Sequence, residues 1–260
     1  MKKMLCMLSA LSLVVFSSCG DVSLENENKA VISEEADYGE NSTNIANSET
    51  VNYVLGSASY RPYSTARELT ENADTVIVGK VTGISFTVID IATGLLPAED
   101  SVDVNRWLCT IYDVDILTTY KGEVLDTVQI RFEGGKKDYR VEEQLEVMRE
   151  HRVVSEDTIL LMTGIPEIEI GETYLFALRE YREFGEGILP ITLTPQQSIY
   201  NLSNPFSRVG YSDARLSAKD VISAFGEEKW EEFWTEWQRD NPDWESRLDK
   251  AAVERALAER

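Results

Sequence analysis

Between Asp74 and Thr194 the chain repeats one pattern: short runs rich in β-branched and aromatic residues, separated by turn residues, with no helix regularly between them. DTVIVGKVTGISFTVIDI (Asp74 to Ile91) carries Gly79 and Gly83 inside an otherwise apolar run, as expected of a long strand that bends. LCTIYDVDILTTYKG (Leu108 to Gly122) sets Ile111, Asp113 and Asp115 against Tyr112, Val114 and Ile116, which predicts one buried face and one wet face. DTVQIRFEGG turns Val128, Ile130 and Phe132 inward and ends at Gly134-Gly135. Further strands are expected over DTILLMTG (157–164), ETYLFALREY (172–181) and ILPITLT (188–194). Such spacing predicts a mainly β fold, an antiparallel barrel or alternatively a β-sandwich.

Helices frame this block. Ser64 or Thr65 can cap ARELTENA, with Glu68 placed as in a capping box. The charged run VEEQLEVMREHR (141–152) reads as a helical insertion between strands, and Gly134-Gly135 beside Lys136, Lys137 and Arg140 as a charged hairpin turn. From Ser217 the chain changes character. Trp230, Trp237, Trp244 and Ala251 fall seven residues apart and are joined by Phe233, Trp234 and Leu248, an apolar stripe on a charged surface. Asn241-Pro242 interrupts it, which predicts two helices in series. These aromatics either pack on the β domain or form a partner-binding face; Trp230, Trp234, Trp237 and Trp244 are the candidate partner-binding residues.

ELTENADTVIVGKVTG, YDVDILTTYKGEVLDTVQIRFEGG and GETYLFAL together resemble the order of elements in netrin-like and tissue-inhibitor-of-metalloproteinase domains. The resemblance covers residues 66–180 and rests on Ala73-Asp74, Tyr112 with Lys121-Gly122, and Gly171-Glu172 with Tyr174-Leu175. It implies a five-stranded barrel of the oligonucleotide/oligosaccharide-binding type. The inhibitors use an N-terminal cysteine on the protease zinc, braced by disulfides, and neither is available here, so protease inhibition is not carried over.

The first twenty residues have the layout of a secretory signal: Lys2 and Lys3, an apolar stretch from Met4 to Phe16, then Ser17, Ser18, Cys19 and Gly20. The apolar stretch is shorter than the ~20 residues that cross a bilayer as a helix. The small residues before Cys19 resemble the lipobox of bacterial lipoproteins, although Phe16 stands where leucine is usual. That resemblance implies removal of residues 1–18 and a lipid on Cys19, with the domain held at the extracytoplasmic face of a cell membrane. Several acyl chains at ~0.8 kcal/mol per buried CH₂ make such an anchor nearly permanent. Residues 19–51 hold eight acids against the single Lys29 and no apolar pattern. They are expected to form a disordered acidic stalk with a reach of ~30 Å. The expected organisation is therefore signal (1–18), stalk (19–51), β-barrel domain (52–212) and C-terminal helices (213–260).

Loss of residues 1–18 removes two lysines and no acid, so the net charge of −21 becomes −23. That opposes nucleic acid, whose affinity comes from phosphate neutralisation, and equally opposes anionic lipid headgroups. Cys6 leaves with the signal and Cys19 carries lipid, so Cys109 has no partner and the fold must form without disulfides. His151 is the single histidine, set among Arg149, Glu150 and Arg152, and reads as solvated or salt-bridged rather than catalytic. Asp113 with Asp115, and Asp100 with Asp103, are candidates for a weak calcium site but read first as surface carboxylates. No phosphate loop or nucleophile elbow is present. No catalytic residue, metal ligand or cofactor is expected, and the chain reads as a non-enzymatic module that binds a protein or glycan outside the membrane. The alternatives are a secreted hydrolase working through a carboxylate pair and an envelope sensor or assembly factor docking through the tryptophan helices.

Overall fold

The computed structural model describes residues 51–258 apart from 59, 124, 156, 182–186 and 212–213. The expected signal, the lipid-bearing Cys19 and all but the last residue of the stalk lie outside the described residues. In chain order the elements are β1 (Asn52–Gly56), α1 (Ala66–Asn72), β2 (Thr75–Asp90), β3 (Arg106–Lys121), β4 (Thr127–Glu133), α2 (Val141–Glu150), β5 (Thr158–Met162) and β6 (Thr173–Arg179). Four short strands follow, β7 (Ile191–Thr192), β8 (Ile199–Asn201), β9 (Val209–Tyr211) and β10 (Ala214–Leu216), then α3 (Ala218–Ser223), α4 (Glu227–Asp240), α5 (Trp244–Arg247) and α6 (Lys250–Ala258).

β2 organises the main sheet because it pairs on one edge with β3 and on the other with β6, giving the antiparallel order β4-β3-β2-β6-β7 with β8 also on β6. Its register against β3 shifts at three places, between Val76 and Ile77, Val78 and Gly79, and Val81 and Gly83. A side chain at Gly79 would come within 2.4 Å of Val114 Cγ1, so glycine permits the close approach at which the strand bends. The antiparallel sheet with C-terminal helices matches the expectation in outline. The expected closed barrel is not formed among the described residues: the β4 edge meets the segment before β7 where Arg131 N–H donates to Pro190 O at 2.9 Å, and the ladder does not continue. β1 and β5 form a separate parallel pair, a departure from a wholly antiparallel arrangement.

Both faces of β2 are covered. Val76 and Val78 point to a cluster with Leu69, Leu175, Ala177, Val221, Ile222 and Trp230, while Ile77 and Val81 point to another with Ile130, Phe132, Phe176 and Leu178. A third cluster lies under α2, where Leu145 and Met148 meet Phe86, Val88, Leu108 and Ile159. The predicted alternation of β3 holds only from Tyr112 onward. From Leu108 to Tyr112 the strand is buried on both faces, because Cys109 and Ile111 are covered by Ile89 and Leu189.

Gly134-Gly135 does not form the predicted hairpin turn. Gly134 N–H donates to Leu108 O at 2.8 Å and Gly135 N–H to Leu160 O at 2.9 Å, so this stretch passes from β4 towards α2 while touching β3 and β5. The buried Gln144 of α2 holds the crossing, accepting from Lys136 N–H at 3.0 Å and donating to Lys136 O at 2.8 Å. At the C-terminus Ser217 and Asp220 form the capping box of α3. Among the described residues there are four helices instead of two, because Gly226 takes a φ of +128° that breaks α3 from α4, in addition to the break at Asn241-Pro242 and another at Leu248.

Candidate binding groove

α4 is amphipathic, and its aromatic face decides where it sits. Trp230 and Trp237, two helical turns apart, are 3% and 7% exposed. Trp230 belongs to the same cluster as Val76, Val78 and Leu175, so α4 is seated on the outer face of β2 and β6. Trp237 Nε1–H donates to Leu202 O at 2.7 Å. Leu202 N–H in turn donates to Thr173 O at 2.9 Å, extending the pairing of β8 with β6. The helix is thereby bonded to the sheet edge through one intervening residue.

An open groove of about 540 Å³ remains where α4 faces the β2–β3 ladder. Val78 of β2 and Leu117 and Thr118 of β3 form one wall, and Phe233, Glu236, Trp237 and Asp240 of α4 the other, with Glu172, Thr173, Leu202, Asn241 and Arg247 also lining it. Leu117 is 60% exposed although it belongs to a strand. Its immediate neighbour Thr118 pairs in register with Val78.

The groove is acidic. Glu172, Glu236 and Asp240 stand in it against the single base Arg247, whose Nη1 is shared between Asn241 Oδ1 at 3.1 Å and Asp243 Oδ1 at 3.4 Å. Glu232, Glu236 and Asp240 follow one another at helical i, i+4 spacing along α4. Glu232 is paired with Lys229 and Asp240 with Arg239 by exposed bridges of 3.0 and 3.1 Å. Beside them Tyr120 stacks on Phe225 at 5.6 Å. Burial pushes the Tyr120 phenol well above its usual range, and the nearby Glu236 and Glu232 carboxylates push it further.

Of the four tryptophans predicted as a partner face, only Trp237 lines the groove. Trp234 is half-buried and stacks on Trp230 at 5.7 Å and Trp237 at 5.1 Å, with Trp244 edge-on at 5.2 Å. Phe206 closes the group against Trp230 and Trp234. The structure therefore brings the four together, largely on one another. Leu117, Glu172 and Glu236 are groove residues that sequence reasoning missed; the spacing of the α4 acids is the signal that could have found the last of them.

The remaining candidates are dispersed. Cys109 is fully buried and burial pushes its thiol up to about 12, so it carries no thiolate at neutral pH. His151 lines a separate polar cavity with Glu99, Arg106, Glu150 and Arg152, and its backbone carbonyl accepts from Arg106 Nη1 at 3.0 Å. Asp113 accepts from Gln129 Nε2 at 2.8 Å, Asp115 is exposed, and Asp103 bridges Arg106 at 3.1 Å. Among the described residues no group of three or more His, Cys, Asp or Glu side chains is gathered as a metal site. No protein-family model and no curated protein sequence matches the chain.

Proposed function

We propose that the chain is a lipid-anchored extracytoplasmic binding module, held by Cys19 on an acidic stalk and engaging a partner through the groove between α4 and the β2–β3 ladder. The observation that carries this reading is the groove itself, in which the exposed Leu117 faces an aromatic helix wall instead of being covered by it. Interfaces concentrate their energy in such aromatic and apolar anchors ringed by polar groups. The signal-like leader supports the compartment. The helix-containing crossover between β4 and β5, and the sharing of β2 between β3 and β6, support an open variant of the oligonucleotide/oligosaccharide-binding architecture implied by the netrin-like resemblance.

The test places a photo-crosslinking residue at position 117 and, as a control, at the exposed position 146, in cells carrying the full chain. A stoichiometric adduct from position 117 alone is expected. Equal yields from both positions, or none, would remove the groove as the functional surface. In parallel, Cys19→Ala should move the protein from the membrane fraction to the soluble one; retention in the membrane would sink the anchor.

A further inference from the structure

We infer that the groove takes a basic, amphipathic polypeptide segment, with apolar side chains against Leu117 and Phe233 and Lys or Arg groups reaching Glu172, Glu236 and Asp240. This rests on the groove being the binding surface and adds the chemistry of its occupant. Three observations point the same way. First, the carboxylates of the groove are acceptors only, and its one base is already engaged by Asn241 and Asp243. Ammonium and guanidinium groups are donors only and match those carboxylates. Second, like charges at i, i+4 destabilise a helix by ~0.2–0.5 kcal/mol per pair, and Glu232, Glu236 and Asp240 make two such pairs in succession. Lys229 and Arg239 engage the outer two, leaving Glu236 between them to face the groove. A cationic partner relieves that repulsion. Third, Leu117 on one wall and Phe233 on the other put apolar surface beside these carboxylates, which suits a segment that carries apolar as well as basic side chains. The net charge, −21 for the whole sequence and −23 once residues 1–18 are lost, steers a basic partner towards the molecule and repels an anionic one.

The test uses the full chain in detergent and two synthetic dodecapeptides, one of alternating Lys and Leu pairs and one with Glu in place of Lys, with binding followed by calorimetry at low salt. The Lys peptide is expected to bind and the Glu peptide not. Removing two groove charges, the half-buried one by Glu172→Gln and the exposed one by Glu236→Gln, should weaken the Lys peptide roughly fivefold. Leu117→Ser should weaken it as well, and the control pair Glu146→Gln with Glu254→Gln, outside the groove, should leave affinity unchanged. Equal loss in groove and control variants would mean diffuse attraction to an acidic protein and would overturn the proposal, as would failure of the Lys peptide to bind. If the Lys peptide fails while the crosslinker at position 117 still captures a partner in cells, the binding module stands and the basic segment falls.

Discussion

The indole Nε1–H of Trp237 donates to the backbone carbonyl of Leu202 at 2.7 Å, and both residues line the groove. The bond ties α4 to the end of β8, beside the packing of Trp230 that seats the helix. Trp237→Phe keeps an aromatic ring but removes the donor, leaving a buried carbonyl without it. The expected cost is about 1–3 kcal/mol of stability, read as a lower urea midpoint. A midpoint equal to the parent's would show that water or a shifted helix replaces the bond at no cost.

Gly134 and Gly171 both have positive φ, +84° and +94°, but their surroundings differ. A Cβ at Gly134 would come within 2.7 Å of Leu160 O, whereas at Gly171 nothing lies within 4 Å. Gly171→Ala should therefore cost only the backbone strain of about 1 kcal/mol, and Gly134→Ala the same strain plus displacement of β5, some 2–3 kcal/mol or more in total. Denaturant unfolding of the two variants side by side checks this. Equal losses would show that β5 yields freely at Leu160.

Asp90 has a carboxyl held below the usual aspartate range, first by the Ser101 hydroxyl and then by the Ala92 N–H, which donates at 2.8 Å. A depressed carboxylate stabilises the fold above its unfolded pKa of about 3.9, and that contribution is lost as pH falls through the lower folded value. Ser101→Ala should therefore be less stable than the parent at pH 5–7, with the gap narrowing below about pH 4. Unfolding curves across that range supply the measurement. A gap that stays constant to pH 3 would mean that Ser101 acts through packing alone.

The strands were legible where one local period decides burial. Ile130 and Phe132 of β4 face the core as their alternation requires, and Thr65 and Ser217 cap the helices that follow them. Asn241-Pro242 likewise ends α4 on local grounds, since proline resists a helix interior. What the pattern missed depends on cover from far along the chain. Cys109 and Ile111 sit on the face that alternation marks as wet, and Leu189, some eighty residues later, buries them. The parallel pairing of β1 with β5 joins segments a hundred residues apart, and no local period encodes it. The groove is less legible still. Leu117 reads as one more strand residue, Glu172 as a turn carboxylate and Glu236 as helix surface. Only the seating of Trp230 and Trp237 places the three around one space.

Cys109 offers a direct report on how firmly the sheet is closed. It is wholly buried between Ile89, Ile111 and Leu189, and its thiol is pushed up to about 12. At pH 8 a thiol so placed is overwhelmingly protonated, and the thiolate is the reactive form. If Cys19 carries lipid and Cys6 leaves with the signal, Cys109 is the one thiol left to label. The native, membrane-extracted chain should then resist a thiol reagent at pH 8 for hours and react stoichiometrically once urea unfolds it. Intermediate urea tests the mechanism: labelling should follow the global unfolding curve, because exposing Cys109 requires parting β3 from the cover supplied by Leu189. Labelling well below the unfolding midpoint would show that the 188–192 segment lifts on its own, and that the second buried face of β3 is a separate, weaker unit. Immediate labelling of one thiol without urea would point instead to an unmodified Cys19, a result that mass spectrometry of the labelled peptide distinguishes from exposure at Cys109.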